Sequence, residues 1–261
     1  MSNLQVQNRL SDALESKKNI LNIYFTAGFP QLTDTILIIK ALAKAGADMI
    51  EIGIPFSDPL ADGETIQKSG QQAIENGMTL KLLFEQLQGI RNEVQIPLLL
   101  MGYLNSVLQF GVANFCQKCQ EVGIDGIILP DLPMQEYLEE YQPLFEANNL
   151  ANVFLITPQT SEQRIRQIDE IANGFIYMVS TASTTGTKSG TSESQIPYFE
   201  RVKAMNLKTP TLIGFGISDK QSFEVANRYA NGAIIGSAFI RTLAQSTDLE
   251  SDIGKFMKGI K

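Results

Sequence analysis

The chain has 261 residues, 44% hydrophobic and 19% charged, a composition that can pack a core and is not that of a disordered chain. Its formal charge of −7 speaks against sequence-independent nucleic-acid binding, which rests on Lys and Arg against phosphate. With no histidine and two cysteines, Ser-His-Asp hydrolysis, zinc sites built on His or four Cys, and a disulfide scaffold are excluded.

Protons must therefore be moved by Asp, Glu, Lys, Tyr or Cys. The polar start, Met1-Ser-Asn-Leu, lacks a signal-peptide core, and no apolar stretch approaches the ~20 residues that span a bilayer. A cytoplasmic chain with no membrane or nucleic-acid partner is expected.

In chain order, a leading helix over about 5–15 precedes a first strand at 20–26. Further apolar, β-branched runs follow at 48–52, 96–101, 126–129, 151–156, 175–180, 211–214 and 233–235. They lack strict alternation, as strands covered on both faces do. Helical patterns lie between them at 35–44, 80–91, 112–121, 135–147, 163–172, 197–205, 221–230 and 238–243. Ser218-Asp-Lys-Gln221 reads as a capping box, and Gly46, Gly123 and Gly232 read as left-handed helix ends.

No linker divides the chain, so one domain over 1–261 is expected. Eight β–α units of this length fit an α/β fold of the (β/α)₈ barrel type with an extra N-terminal helix. A doubly wound open sheet is the competing layout, but no G-x-G-x-x-G follows the first strand. In a barrel, the strand exits carry the chemistry.

At the second exit, Glu51 stands between Ile50 and Ile52. If the isoleucines face the helices, alternation points Glu51 inward, where burial raises a carboxyl pKa toward neutrality. A buried Glu paired with Lys or Arg is the other reading. The loop 55–67 carries Asp58, Asp62 and Glu64, and a second carboxylate there could fold over the mouth. Gly214-Phe-Gly216 and Gly236-Ser237 sit at the seventh and eighth exits. They could cradle a phosphate with backbone N–H groups, or could simply be tight turns. The Ser/Thr/Gly stretch 180–194 at the sixth exit suits a closing lid. Cys116-Gln-Lys-Cys119 lies inside a helical pattern and reads as core rather than a redox pair.

The segment Glu51-Ile-Gly-Ile-Pro-Phe-Ser-Asp-Pro-Leu-Ala-Asp-Gly63 resembles the signature of the tryptophan synthase α subunit family. So do Met101-x-Tyr-x-Asn105, Pro130-Asp-Leu-Pro133, Gly214-Phe-Gly-Ile-Ser218 and Gly236-Ser-Ala238, in the expected order. The resemblance runs from about Tyr24 to the last helix. It implies a carbon–carbon lyase that cleaves indole-3-glycerol phosphate to indole and glyceraldehyde 3-phosphate by a retro-aldol reaction. It implies Glu51 as proton shuttle between hydroxyl and C3, and Asp62 as acceptor of the indole N1–H. Tyr24, Met101, Tyr103, Tyr177 and Phe215 match pocket positions, and Thr185 matches the lid residue beside Asp62. Gly186, Gly216, Gly236 and Ser237 match the phosphate site.

The resemblance further implies no cofactor in this chain and a pyridoxal-phosphate β subunit as partner in an α2β2 complex. That partner would take the indole for the last step of tryptophan biosynthesis. The implied docking surface is 55–59, 105–111 and 130–133. Two departures stand out: Glu64 replaces the family's usual proline after Asp-Gly, and Ser183-Thr184 replace Gly-Val before Thr185-Gly186. An added charge at Glu64 is expected to raise the pKa of Asp62.

Overall fold

The computed structural model describes residues 6–180, 195–214 and 216–261. The strands are β1 (Ile20–Thr26), β2 (Met49–Gly53), β3 (Leu98–Met101) and β4 (Gly126–Ile128), then β5 (Ala151–Ile156), β6 (Ile176–Val179), β7 (Thr211–Gly214) and β8 (Gly232–Ile235). They pair in parallel, in sequence order, and β8 closes on β1. The fold is the expected (β/α)₈ barrel, not the open sheet.

The helices are α1 (Arg9–Ser16), α2 (Thr35–Lys44), α3 (Glu64–Glu75), α4 (Leu80–Gln86), α5 (Leu104–Phe110), α6 (Val112–Val122) and α7 (Met134–Glu136). They continue with α8 (Gln142–Ala147), α9 (Glu162–Ile171), α10 (Ile196–Ala204), α11 (Lys220–Ala226), α12 (Ser237–Gln245) and α13 (Leu249–Ile260). A π turn over Tyr137–Tyr141 joins α7 to α8.

Strand alternation sorts the side chains into two apolar clusters. Ile23, Ile50, Ile52, Leu98, Leu100 and Ile213 face outward with the helices. Ile20, Met49, Leu99, Ile128, Leu212 and Ile234 fill the barrel. Leu10 and Leu14 of α1 join the inner cluster, so α1 plugs the end away from the strand exits. Its anchorage is polar. Asn8 caps the helix through the Leu10 and Ser11 N–H groups and donates to the Asp125 and Asn149 carbonyls, each at 2.8 Å. Buried Asp125 accepts from Arg9 at 3.1 Å and Arg91 at 2.5 Å. Arg91 also donates to the carbonyls of Gly123, Val94 and Ile96, tying three loop positions to one guanidinium.

Three helices carried no sequence expectation: α3, α5 and α13. The first was expected to be loop for its first few residues, because the expected loop 55–67, with three acids and two prolines, runs into it. It begins at Glu64 after Gly63, whose extended backbone (φ −74°, ψ 162°) serves as the N-cap. The expected helix 80–91 ends at Gln86, because Gly89 turns left-handed (φ 75°) into a single 3₁₀ turn, Ile90–Asn92. Gly46 and Gly123 take positive φ as expected, but Gly232 does not. It is a strand residue, and a Cβ there would lie 2.3 Å from the Ile20 carbonyl oxygen. The box opening α11 is one residue later than expected, with Asp219 as cap and Ser222 as its reciprocal partner. Both cysteines are buried free thiols in α6, raised by burial (Cys116 to about 11), which suits packing rather than redox exchange.

Candidate active site

Met49 faces the barrel interior, so two residues on, Glu51 does too. It is fully buried, and no Lys or Arg among the described residues meets it, which speaks against the ion-pair reading. Its partner is Asn22 of β1, whose amide Nδ2 donates to Oε1 at 2.5 Å. Oε2 makes no hydrogen bond to a described residue. Burial pushes the carboxyl up to about 8, against the bond from Asn22, which lowers it.

Tyr24 pairs in register with Glu51 across β1 and β2. Room for its ring comes from Gly53, where a Cβ would fall 2.1 Å from the Tyr24 hydroxyl. Gly214 does the same for Tyr177, at 2.4 Å. These two inward glycines exchange side-chain volume on one strand for an aromatic on its neighbour. Burial, then the charges of Asp62 and Glu51, keep the Tyr24 phenol protonated. Tyr177 is raised by burial, Glu51 and Asp62.

Asp62 lies beyond the exit of β2. The Tyr103 hydroxyl donates to its Oδ2 at 3.0 Å and accepts the Ala61 N–H at 3.0 Å. Tyr103 stacks on Phe56 at 5.1 Å, so the loop is held from two sides. Burial raises the Asp62 carboxyl and the Tyr103 bond lowers it. Glu64 plays no part in that shift. It is exposed and pairs with Lys68 at 2.6 Å, which lowers its own pKa. The expected influence of Glu64 on Asp62 is therefore absent. The base of α3 is fixed by Ser69, whose hydroxyl meets that of Thr26 at 2.7 Å.

Among the sequence-derived residues, Glu51, Asp62, Tyr24, Tyr103 and Tyr177 form one electrostatic neighbourhood, and Met101 ends β3 beside it, half-buried. Gly216 takes a left-handed φ of 80°. Gly236 is the N-cap of α12 and Ser237 its first residue, and a glycine cap offers no side chain to the N–H groups of that turn. Thr185, Gly186, Phe215 and the expected lid at 181–194 lie outside the described residues. Sequence reasoning missed Asn22. The signal was present, because Asn22 is the one amide in the run Ile20-Leu-Asn-Ile-Tyr-Phe-Thr26, on the same face as Tyr24. Among the described residues, no group of three or more Cys, Asp or Glu could hold a metal, and no helix is long and apolar enough to cross a membrane.

The family model described as tryptophan synthase alpha chain matches residues 10–258. The chain belongs to the tryptophan synthase alpha chain family. It is an enzyme of that family, a lyase of tryptophan synthesis. The alpha chain of Flavobacterium psychrophilum is 60% identical over 253 residues, 97% of this chain and 99% of that one. The Bacteroides thetaiotaomicron alpha chain is 51% identical, covering 97% of this chain and all of that one. Among solved structures, the alpha subunit from Legionella pneumophila superposes with a TM-score of 0.84 at 32% identity, over 97% of each chain. A mutant alpha subunit from Pyrococcus furiosus gives 0.85 at 32% identity, over 94% of this chain and 98% of that one.

Proposed function

We propose that the chain cleaves indole-3-glycerol phosphate to indole and glyceraldehyde 3-phosphate, with Glu51 and Asp62 as its catalytic pair. Indole is a poor carbon leaving group. The bond between ring C3 and the glycerol chain breaks as the adjacent hydroxyl becomes an aldehyde, and its electron pair passes to the ring. The hydroxyl gives up one proton and C3 gains one, so a single shuttling carboxyl balances the step. Glu51 supports that reading, because it is buried, near neutrality, and offers one oxygen with no hydrogen bond to a described residue. Asp62, steadied by Tyr103, would accept the ring N1–H as charge builds on the indole.

Tyr24, Met101, Tyr103, Tyr177 and Phe215 would line the indole and glycerol pocket, with Thr185 closing beside Asp62. Backbone groups of Gly186, Gly216, Gly236 and Ser237 would hold the phosphate; the uncapped first turn of α12 supports this assignment. The observation that carries the proposal is an inward-facing, near-neutral carboxyl at Glu51, with one oxygen that bonds no described residue, together with a second carboxyl held at the exit of the same strand.

The partner would be a β subunit carrying pyridoxal phosphate, in an α2β2 assembly. Exposed Leu60 and Leu108, at 88% and 51%, lie beside 55–59 and within 105–111, two of the segments expected to dock it. An uncharged product such as indole would be lost by diffusion without a direct route between the sites.

The test is indole release by the purified chain, alone and with a β subunit. Glu51→Gln and Asp62→Asn should each lower cleavage by at least about 10²-fold while circular dichroism stays native. Full turnover in Glu51→Gln would overturn the assignment. Stimulation of the β subunit by an otherwise silent chain would favour a purely activating role.

A further inference from the structure

We infer that Asn22 is a positioning residue for the Glu51 carboxyl: its amide holds Oε1 as the accepting oxygen and confines the exchangeable proton to Oε2. Asn22 pairs with Met49 in β2 and Ile234 in β8, one layer deeper than the Tyr24–Glu51 pair. All strands run toward the mouth, so the amide supports the carboxyl from the closed end. The bond is 2.5 Å, and both residues are fully buried. An N–H donor at Oε1 needs an acceptor there, and the carbonyl oxygen of a carboxylic acid accepts more strongly than its hydroxyl, so the bond favours the proton on the other oxygen. Oε2, with no hydrogen bond to a described residue, is left as the oxygen that gives and takes the proton.

Packing alone would not place an amide there. Its inward neighbours Met49 and Ile234 are apolar, and its own Oδ1 is buried without a hydrogen-bond partner among the described residues. A leucine in that slot would bring no unsatisfied Oδ1 of its own. Among the described residues, the one hydrogen bond the amide side chain makes is to Glu51. That bond favours the carboxylate and opposes the effect of burial. Among the described residues, the other titratable groups facing Glu51 are Tyr24 from β1 and Tyr177 from β6, with Asp62 and Tyr103 beyond them. Both inner phenols are raised and stay neutral while Glu51 titrates. The catalytic meaning of the bond rests on Glu51 being the proton carrier proposed above.

The test uses the full chain. The side-chain amide of Asn22, assigned through its own Cα and Cβ, and the carboxyl carbon of Glu51 are followed by NMR across pH. The amide should move with the same midpoint as the carboxyl, and in Glu51→Gln that movement should vanish. Asn22→Leu should raise the Glu51 midpoint by about one pH unit. It should also lower kcat about tenfold near neutral pH and leave KM within about twofold. An amide that ignores the Glu51 titration overturns the inference. So does a Leu variant whose midpoint stays or falls, since an amide turned to accept from the acid gives that opposite sign. If Asn22→Leu does not fold, the wild-type titration decides alone. Full cleavage by Glu51→Gln would overturn the role of Glu51, and with it the catalytic meaning of the bond, whether or not the amide titrates.

Discussion

Glu51 carries a cost that depends on pH. Its pKa rises from the ordinary 4.5 to about 8 on folding, so between those values the folded chain holds a proton that the unfolded chain has released. Stability contributed by the neutral acid is full below the lower value and is lost as pH rises through the upper one. Glu51→Gln removes this dependence. It should therefore unfold at higher denaturant than the parent at pH 9, by a few kcal/mol, and by much less at pH 5. Equal differences at the two pH values would contradict the burial argument. Gly53 is a second constraint at this scale. Gly53→Ala places a methyl into the Tyr24 ring, and overpacking of this kind costs about 1–3 kcal/mol. In a Tyr24→Leu background the same change should cost less, and a double-mutant cycle by chemical denaturation measures the coupling.

Helix α3 shows how one element tolerates a departure from its family. Glu64 is its first residue, where the backbone N–H has no partner inside the helix, so a proline loses nothing there and a carboxylate gains from the helix dipole. Gly63 is already in the extended conformation a following proline requires. Glu64→Pro should leave stability within about 0.5 kcal/mol and leave the Asp62 titration where it was, since Glu64 does not contribute to it. A large loss of stability would show that the Lys68 pair matters more than an exposed ion pair should. The boundaries of the elements were legible where apolar runs were clean. β1, β5, β7 and α2 fall on the expected residues. They were not legible in α3 and α5, whose buried faces are narrow and whose exposed faces look like loop. In α3 only Ser69, Gly70 and Ala73 are buried, and none of these is a strong hydrophobic signal.

For the whole molecule, the two ends of the barrel do different work. The closed end is a stability device, in which α1 is seated by Asn8 and buried Asp125 is shared by Arg9 and Arg91. Removing Arg91 leaves that carboxylate short of a partner, and breaking a buried pair costs about 3–5 kcal/mol. Arg91→Ala should therefore lower the urea midpoint markedly while the KM for indole-3-glycerol phosphate in the surviving folded chain is unchanged. The open end carries the carboxyls, the tyrosines and the glycine exits. By itself the sequence determined the order of the strands, most of the helices between them and the inward direction of Glu51, because alternation is a local property of the strand. It also determined the family, through a long contiguous segment at one exit. Closure of the sheet decided the rest. Only β1 pairing with β2 brings Asn22 to Glu51, only the β3 exit brings Tyr103 to Asp62, and only the pairing of adjacent strands sets Gly53 against Tyr24 and Gly214 against Tyr177. These contacts join residues far apart in the chain, and their geometry follows from the register of a closed barrel, which no local pattern encodes.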